Sequence, residues 1–298
     1  MVVGFIEWGF IANYLGQFLY FIYNTVAFEN YGLAIIIFTI VIKLALMPLT
    51  FKQLRSSAKM QEIQPKIQEI QKMYKNDKEK LNKELMKFYQ ENKVNPAAGC
   101  LPLLIQMPIL FSLYWAIARP LSYMLGKSKA QITELTSITK DLAKSIDGYN
   151  FNPKGTDVQI QILNFYGEHR DKLSQVGKFL KENELLNMFF PTNGFGVNLS
   201  SKPTLSISSV NDLALLIIPL LAVLFTYLST RLSMPKPSKD NKNAQMMGFM
   251  VYFAPLMTLV IGFQFPIGLA LYWTTSSIFQ IGQQLVINKY KLREVGKK

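Results

Sequence analysis

The sequence predicts an all-α integral membrane protein with five transmembrane helices, a cytoplasmic helical hairpin and an inserted extracytoplasmic segment. Half of its 298 residues are hydrophobic, and long apolar stretches alternate with two polar ones, so a single soluble core does not fit. Each apolar stretch is near the length that crosses a bilayer, and none alternates with the period of a membrane strand. The five predicted spans are residues 31–51, 97–119, 211–231, 246–264 and 266–286.

The basic residues are unevenly placed and predict the orientation in the membrane. The formal net charge is +13, yet no Lys or Arg precedes Lys43. Residues 52–95 hold eleven basic and six acidic residues, and basic residues also dominate the loop 232–245 and the tail 287–298. Because cytoplasmic loops are enriched in Lys and Arg, these three segments are predicted to be cytoplasmic. Five spans then place the N-terminus outside and the C-terminus in the cytoplasm.

A single charge stands near the middle of the first predicted span, YGLAIIIFTIVIKLALMPLTF. As a helix this stretch would extend about 31 Å, close to the ~30 Å of a hydrocarbon core. A charge at that depth costs at least ~2.5–3.5 kcal/mol, which indicates a polar neighbourhood or a function for Lys43. Thr39, Lys43 and Thr50 share one side of a helical wheel and would form a polar stripe. The alternative is that the lysine snorkels to the nearer water face.

Residues 52–95 are predicted to form a cytoplasmic hairpin of two helices. Each arm has a narrow apolar face at helical spacing, and KNDKEK (75–80) supplies the turn. The apolar positions are Ile63, Ile67, Ile70 and Tyr74 in the first arm, and Leu81, Leu85 and Phe88 in the second. Two interpretations of the charges stay open. They form either a solvated face or a docking surface for lipid head groups, a partner protein or ribosomal RNA.

The first thirty residues lack a basic n-region and a clear cleavage site, so they make a poor signal peptide. On a helical wheel the polar side chains lie opposite the apolar ones, which predicts that 1–30 is an amphipathic helix in the outer interface. The polar set is Asn13, Gln17 and Asn24, and the apolar set is Phe10, Leu15, Phe18 and Ile22. A sixth span is the alternative.

Residues 120–210 are predicted to be an extracytoplasmic loop or small subdomain. Within them, DVQIQILNF (157–165) has the pattern of a strand, and residues 169–190 have helical spacing. Two interpretations of this segment stay open: it binds a partner, or it is an insertion without a function of its own.

The residue types that form catalytic and metal sites in other proteins occur singly or in incomplete motifs in this sequence. Cys100 is the single cysteine, His169 is the single histidine, and the GKS that begins at Gly126 lacks the earlier glycine of a phosphate loop. The sequence also has no nucleophile elbow, nucleotide fingerprint or zinc motif. We therefore expect no enzymatic activity, no cofactor and no metal.

Three blocks of sequence occur in an order and spacing that point to a known family. VNPAAGCLPLLIQMPILFSLYWAI (94–117) has prolines inside its apolar run and follows a basic hairpin. FPIGLALYWTTSSIFQIGQQLVI (265–287) forms the last apolar block, and residues 31–74 form a third, weaker one. Together these blocks resemble the YidC/Oxa/Alb family of membrane protein insertases.

The resemblance implies five helices around a hydrophilic groove that is closed to the outside and open to the cytoplasm and lipid. Lys43 matches the position of a groove arginine, with the charge kept and the bidentate fork lost. Trp273, Ser277, Gln280 and Gln284 share one face of the last span by helical spacing, which agrees with a groove lining. Gln106 also falls in the groove set, with an interhelical hydrogen bond as the alternative. For Trp273 the alternative is packing or anchoring at the interface.

The function implied by the resemblance is insertion and folding of newly made membrane proteins in the bacterial cell membrane, with no DNA partner. Expected partners are nascent membrane proteins, membrane lipids, the Sec translocon and, transiently through the hairpin and tail, the ribosome. Two other classes stay open. A small-molecule or ion transporter would also use intramembrane Lys and Gln, although no internal repeat is evident. A non-catalytic assembly scaffold would use the basic hairpin for docking alone.

Overall fold

A computed structural model describes residues 9–92, 111–112, 114–190, 196–203, 210–233 and 242–295, which are mostly helical. The named α-helices are α1 (Gly9–Thr25), α2 (Tyr31–Ala45), α3 (Met47–Met73), α4 (Lys78–Glu91), α5 (Pro120–Tyr123), α6 (Lys129–Ala143), α7 (Val158–Glu168), α8 (Val210–Ser233), α9 (Lys242–Gln264) and α10 (Ile267–Val295). Residues 111–112 and 114–118 are also helical. Short 3₁₀ helices cover Arg170–Val176 and Glu182–Glu184. The strands β1 (Phe189–Phe190) and β2 (Val197–Asn198) pair antiparallel.

The first predicted span contains a helix boundary. Helix α2 ends at Ala45, Leu46 forms a turn, and α3 begins at Met47 with Pro48 in its first turn, where a proline is tolerated. At 1.5 Å per residue, α2 is about 22 Å long, which is shorter than a hydrocarbon core. Residues 31–51 therefore comprise α2 and the first residues of α3.

Among the described residues, Leu215–Ser233 is long and apolar enough to cross a membrane by itself. Tyr31–Ala45 and Val251–Gln264 are shorter apolar helices. The predicted second span, with Gln106 and Cys100, lies mainly outside the described residues. The count of five spans stays a prediction.

Helices α2, α8, α9 and α10 form the apolar part of the structure. Helix α10 packs against both α8 and α2, while α9 packs mainly on α8 and α1 packs on α2. Fully buried aromatic side chains fill the centre on the α2 side, among them Tyr31 and Phe38. The Tyr31 hydroxyl donates to the Ile117 carbonyl at 2.7 Å, which joins the start of α2 to the end of the second predicted span.

The buried side of α1 overlaps the predicted apolar face in part. It includes Ala12, Gly16 and Leu19 together with the predicted Ile22, whereas Phe10 of the predicted set is 67% exposed. The reason is close packing, because a Cβ added to Gly16 would lie 2.3 Å from the Tyr123 carbonyl oxygen. Small residues thus face α5, and large aromatic side chains are displaced to the exposed side.

Helices α3 and α4 contact each other across a short turn. Asp77 is the N-cap of α4, with its side chain accepting from the Lys80 amide at 3.0 Å. Ile67 is buried in α3, and the helix continues through Pro65.

Two predictions for the segment 120–210 were wrong. Residues 158–168 form a helix and not a strand. Adjacent side chains in it, such as Ile162 and Leu163, are both fully buried. A strand would send neighbours to opposite faces, whereas a helix can bury both. Residues 169–190 are not one helix but two 3₁₀ turns followed by β1. The chain becomes extended at Lys181, with φ −102° and ψ 160°, which interrupts the helical spacing.

Candidate functional site

Lys43 lies in the last turn of α2 and is half-buried. A cation is favoured there, because the backbone carbonyls at a helix C-terminus carry partial negative charge. Its neighbours Val41 and Leu44 are 38% and 48% exposed, so the lysine stands at an apolar surface. No carboxylate in the described ranges forms an ion pair with it. The position supplies a positive charge that an acidic group arriving from outside the chain could approach.

Thr39 lies one turn before Lys43 and is only 1% exposed. Its hydroxyl donates to the Ile35 carbonyl of the same helix at 2.6 Å. The hydroxyl proton is therefore engaged within α2, and what remains is the oxygen as an acceptor.

Ser277 is buried on α10 and faces α8. Its Oγ lies 3.2 Å from Oγ1 of Thr226, and one turn earlier the Thr274 hydroxyl lies 3.3 Å from the Ile218 carbonyl oxygen. Thr274 also donates to the Ala270 carbonyl of its own helix at 2.8 Å. These contacts place Ser277 in a polar seam between two helices.

The other predicted groove residues of α10 have different surroundings. Trp273 is half-buried and packs against the main hydrophobic core, whereas Gln280 is exposed. Among the described residues, the structure brings none of the α10 positions into hydrogen-bond contact with Lys43. Gln106 lies outside the described residues.

The α8 side of this seam is not among the residues predicted from sequence. Ser229 is 3% exposed and donates to the Thr226 carbonyl at 3.0 Å. Thr226, Ser229 and Ser233 recur at helical spacing in the third predicted span, which is the signal that would have found them. In the part of the chain that is described, buried Ser233 Oγ and Gln283 Nε2 have no hydrogen-bond partner.

Lys43 and the buried hydroxyls can bind other groups through charge and hydrogen bonds. The described residues contain no group of three or more His, Cys, Asp or Glu that could hold a metal ion. Two polar cavities of about 670 and 600 Å³ lie away from Lys43, and both are lined largely by the segment 148–202. The site is therefore a half-buried cation and a row of buried hydroxyls between apolar helices.

The fold and the site define a class, a helical membrane protein whose polar side chains lie between apolar helices. The chain belongs to the 60Kd inner membrane protein family, whose sequence profile matches residues 21–294. This finding confirms the resemblance to the YidC/Oxa/Alb family. It also supports a location in the bacterial membrane.

Individual relatives carry the name of an insertase. The chain is 35% identical to "Membrane protein insertase YidC" of Oceanobacillus iheyensis over 268 residues, which are 88% of this chain and 75% of the relative. It is 32% identical to "Membrane protein insertase YidC 1" of Lactococcus lactis over 290 residues, 94% of this chain and 78% of the relative. For "Membrane protein insertase YidC 2" of Listeria innocua the identity is 33% over 263 residues, 87% of this chain and 64% of the relative. These names agree with the prediction that the protein is not an enzyme.

Proposed function

We propose that this protein inserts newly made membrane proteins into the bilayer and helps them fold, using a hydrophilic groove open to the cytoplasm and to lipid. The observation that carries the proposal is the half-buried Lys43 at the C-terminal end of an apolar helix, in a chain of the insertase family. The proposed orientation places the N-terminus outside and the C-terminus in the cytoplasm.

The physical problem is the passage of a short polar tail through hydrocarbon. Unsatisfied polar groups cost several kcal/mol each in the bilayer core. A water-accessible groove that reaches part of the way shortens the crossing, because the polar segment stays solvated for longer. Apolar parts of the incoming chain leave sideways into lipid, where they are already stable.

Lys43 supplies the attraction in this mechanism. Its ammonium group draws acidic residues of the incoming segment toward the groove, and at low effective dielectric such an attraction amounts to a few kcal/mol. The sequence holds no nucleotide-binding motif. Substrate hydrophobicity, the ribosome or the membrane potential, worth about 2.3 kcal/mol per charge per 100 mV, then drive insertion.

The remaining groove residues are assigned supporting roles. Exposed Gln280 offers an amide to a passing polar segment, and Trp273 presents an aromatic surface to an apolar one. Thr39 adds an acceptor oxygen one turn before the charge, and Gln106, which lies outside the described residues, is assigned an amide for the same groove. Ser277 contributes to the lining through the seam that it forms with Thr226.

The proposed partners are nascent membrane proteins, lipids, the Sec translocon and, in passing, the ribosome. Residues 52–95 carry a marked excess of basic over acidic residues. Contact of such a segment with ribosomal RNA or anionic lipid is electrostatic, so it weakens as salt concentration rises.

The test uses purified protein in liposomes and a single-span substrate with an acidic N-terminal tail. Protease protection of the tail is compared between wild type, Lys43→Ala and Lys43→Arg. We expect Ala to abolish insertion and Arg to retain it, because the charge is the working part. The matched control is Lys144→Ala, an exposed lysine paired with Asp141 outside the basic segment 52–95, which should insert like wild type.

Failure of folded wild type to insert the substrate would contradict the proposal. Solute flux through the same liposomes would then favour a transporter. Normal assembly of membrane proteins in cells that carry Lys43→Ala would favour a scaffold.

A further inference from the structure

The smaller of the two polar cavities, of about 600 Å³, lies beside helix α7 in the predicted extracytoplasmic segment. Residues 148–153 form one wall, α7 contributes Gln161 and Asn164, and residues 200–202 form another wall. This volume falls within the range of cavities that hold small organic ligands. The cavity is here called the α7 cavity, and it has no part in the insertase proposal.

Hydrogen bonds fix the wall of residues 148–153 against α7. The Asn152 amide donates to Oε1 of Gln161 at 2.9 Å, and the Gly155 amide donates to the Asn152 carbonyl at 3.1 Å. A Cβ added to Gly155 would lie 2.7 Å from Oδ1 of Asp157, so a side chain there would push this carboxylate aside. The cavity is therefore preformed, and a ligand does not have to order it.

A buried ion pair lies in the lining of the α7 cavity. Asp157 is 2% exposed, and Nζ of Lys202 lies 3.1 Å from each of its carboxylate oxygens. A carboxylate has about four acceptor sites, and among the described residues only Lys202 donates to this one. Acceptor sites therefore remain for a donor inside the cavity. The described lining holds no other Asp, Glu, Lys or Arg, so its two charges cancel.

The rest of the lining consists mainly of amide side chains and two aromatic rings. The amides belong to Asn150, Asn152, Gln161 and Asn164. Because Oε1 of Gln161 accepts from Asn152, its Nε2 is the end of this side chain that is left as a donor. Tyr149 and Phe151 are half-buried, and an edge contact with Phe165, at 5.2 Å between centroids, fixes the Tyr149 ring. The lining thus combines apolar ring surface with uncharged donors and acceptors.

We propose that the α7 cavity binds a neutral sugar. A sugar ring has apolar C–H faces, and its hydroxyl groups both donate and accept, which is the combination that this lining matches. The C–H face packs on Tyr149 and Phe151, while hydroxyls donate to Asp157 and accept from Nε2 of Gln161. Hydrogen bonds to an ionised group are the stronger ones. A sugar acid or phosphate is disfavoured, because it would bring an anion to Asp157 while Lys202 is already engaged.

The first experiment measures sugar binding directly and needs no insertion assay. The purified full chain, in a detergent without a sugar head group, is studied by saturation-transfer NMR with glucose, galactose and N-acetylglucosamine. Glucuronic and galacturonic acids are the charged comparisons. We expect at least one neutral sugar to bind, and both acids to bind several-fold more weakly than that sugar. Folded wild type that binds none of the neutral sugars, or binds the acids equally well, would overturn the proposal.

A single substitution tests whether the sugar occupies the α7 cavity. Gln161→Glu keeps an acceptor for the Asn152 amide and removes the Nε2 donor, so the wall should stay in place. We expect the sugar to bind about ten-fold more weakly, as loss of one hydrogen bond allows. The matched control is Gln175→Glu, the same change at an exposed residue outside the lining, which should bind like wild type. Equal affinity of the two variants would overturn the assignment of the site.

Hydrogen exchange in the unmodified protein keeps the proposal testable if Gln161→Glu does not fold. Saturating sugar should slow exchange of the Asn152 amide several-fold, because the bound ligand holds its Gln161 partner. The Ile132 amide, which donates to Ser128 in α6, is the internal control and should not change. Unchanged exchange at Asn152 with sugar bound would place the ligand outside the α7 cavity.

Two further arms separate the sources of such a sugar, which are a cell-wall glycan and the head group of a glycolipid. In one arm an oligosaccharide of N-acetylglucosamine is added to the protein in detergent. In the other, nanodiscs with and without a glucosyl diacylglycerol are compared. Slower exchange at Asn152 with the oligosaccharide would assign the glycan, and slower exchange only in the glycolipid nanodiscs would assign the lipid. No change in either arm would overturn both sources.

Discussion

The Phe190 ring lies against the backbone of Gly32. A Cβ added to this glycine would sit 2.4 Å from Cγ of Phe190 and 2.7 Å from its Cβ. These atoms are at the root of the side chain, so the ring cannot swing away without moving the strand. The glycine therefore sets how closely β1 approaches α2.

Gly32→Ala should destabilise the protein by about 1–3 kcal/mol, because the added methyl group overpacks the contact with Phe190. Thermal unfolding in detergent measures the change. Gly167→Ala is the control, since a Cβ there meets nothing within 4 Å. This substitution should leave stability unchanged or raise it by up to about 1 kcal/mol. Equal effects of the two substitutions would contradict the packing argument.

Ser277→Ala and Thr226→Val should each destabilise the α8–α10 pair, and their effects should not add. The two hydroxyls lie 3.2 Å apart, and hydrogen bonds between membrane helices contribute ~0.6–1.7 kcal/mol. A double-mutant cycle of thermal unfolding measures the coupling. Strictly additive effects would mean that Ser277 does not act through Thr226.

Lys43→Glu should reverse the charge preference of insertion. A substrate with an acidic tail should insert poorly, and a matched substrate with a basic tail should insert better than it does with wild type. The reason is the sign of the Coulomb interaction at a half-buried position, where salt screens it little. Paired protease-protection assays measure both substrates. Identical insertion of the two substrates by the variant would refute the electrostatic role.

Lys127→Met should destabilise the segment that contains α6 and α7. The Lys127 and Glu184 side chains are only 14% and 19% exposed, and the substitution leaves the carboxylate without its cation. Loss of a charged hydrogen bond of this kind costs ~1.5–3 kcal/mol. Lys144→Met breaks a pair whose side chains are 65% and 70% exposed, so it should cost less than ~1 kcal/mol. Limited proteolysis compares the two, and equal sensitivity would rule out a special role for the buried pair.

The stability of the same segment should fall at high pH. Burial raises the pKa of Tyr149 to about 12 from the ordinary 10.0, although its hydrogen bond with Asn164 acts in the opposite direction. The unfolded chain therefore loses this proton at a lower pH than the folded one. The contribution of the protonated Tyr149 hydroxyl to folding stability is therefore fully present below pH 10. It is lost as the pH rises through 10 toward 12. Tyr149→Phe should reduce the fall, and hydrogen exchange at α7 measures it. A fall of the same size in both proteins would assign it to other groups.

Some features of the site were predictable and others were not. The lone charge in an apolar stretch marked Lys43, because a single lysine within a run of apolar residues is visible in the local sequence and is costly in a membrane. The helical spacing of Trp273, Ser277 and Gln280 was also predictable. Their surroundings were not, since packing of α10 against α8 buries Ser277 and leaves Gln280 exposed.

Residues 157–165 were assigned to a strand for a similar reason, since their tertiary contacts could not be predicted. The alternating pattern of residues 157–165 suits a strand, and only the core shows that Ile162 and Leu163 are buried side by side. Tertiary burial overrides a short local pattern, because a few residues fit either period.

The sequence by itself determined the helical class, the family and the position of the charge at Lys43. Those properties follow from hydropathy, charge and motifs, which are local along the chain. Only the tertiary structure decided how closely α1 packs on α5, where Ser277 points, and that residues on either side of β1 and β2 accept hydrogen bonds from the first amides of both α2 and α10. These features depend on contacts such as Asn30 with Phe189, 159 residues apart, and no local pattern encodes a contact at that separation.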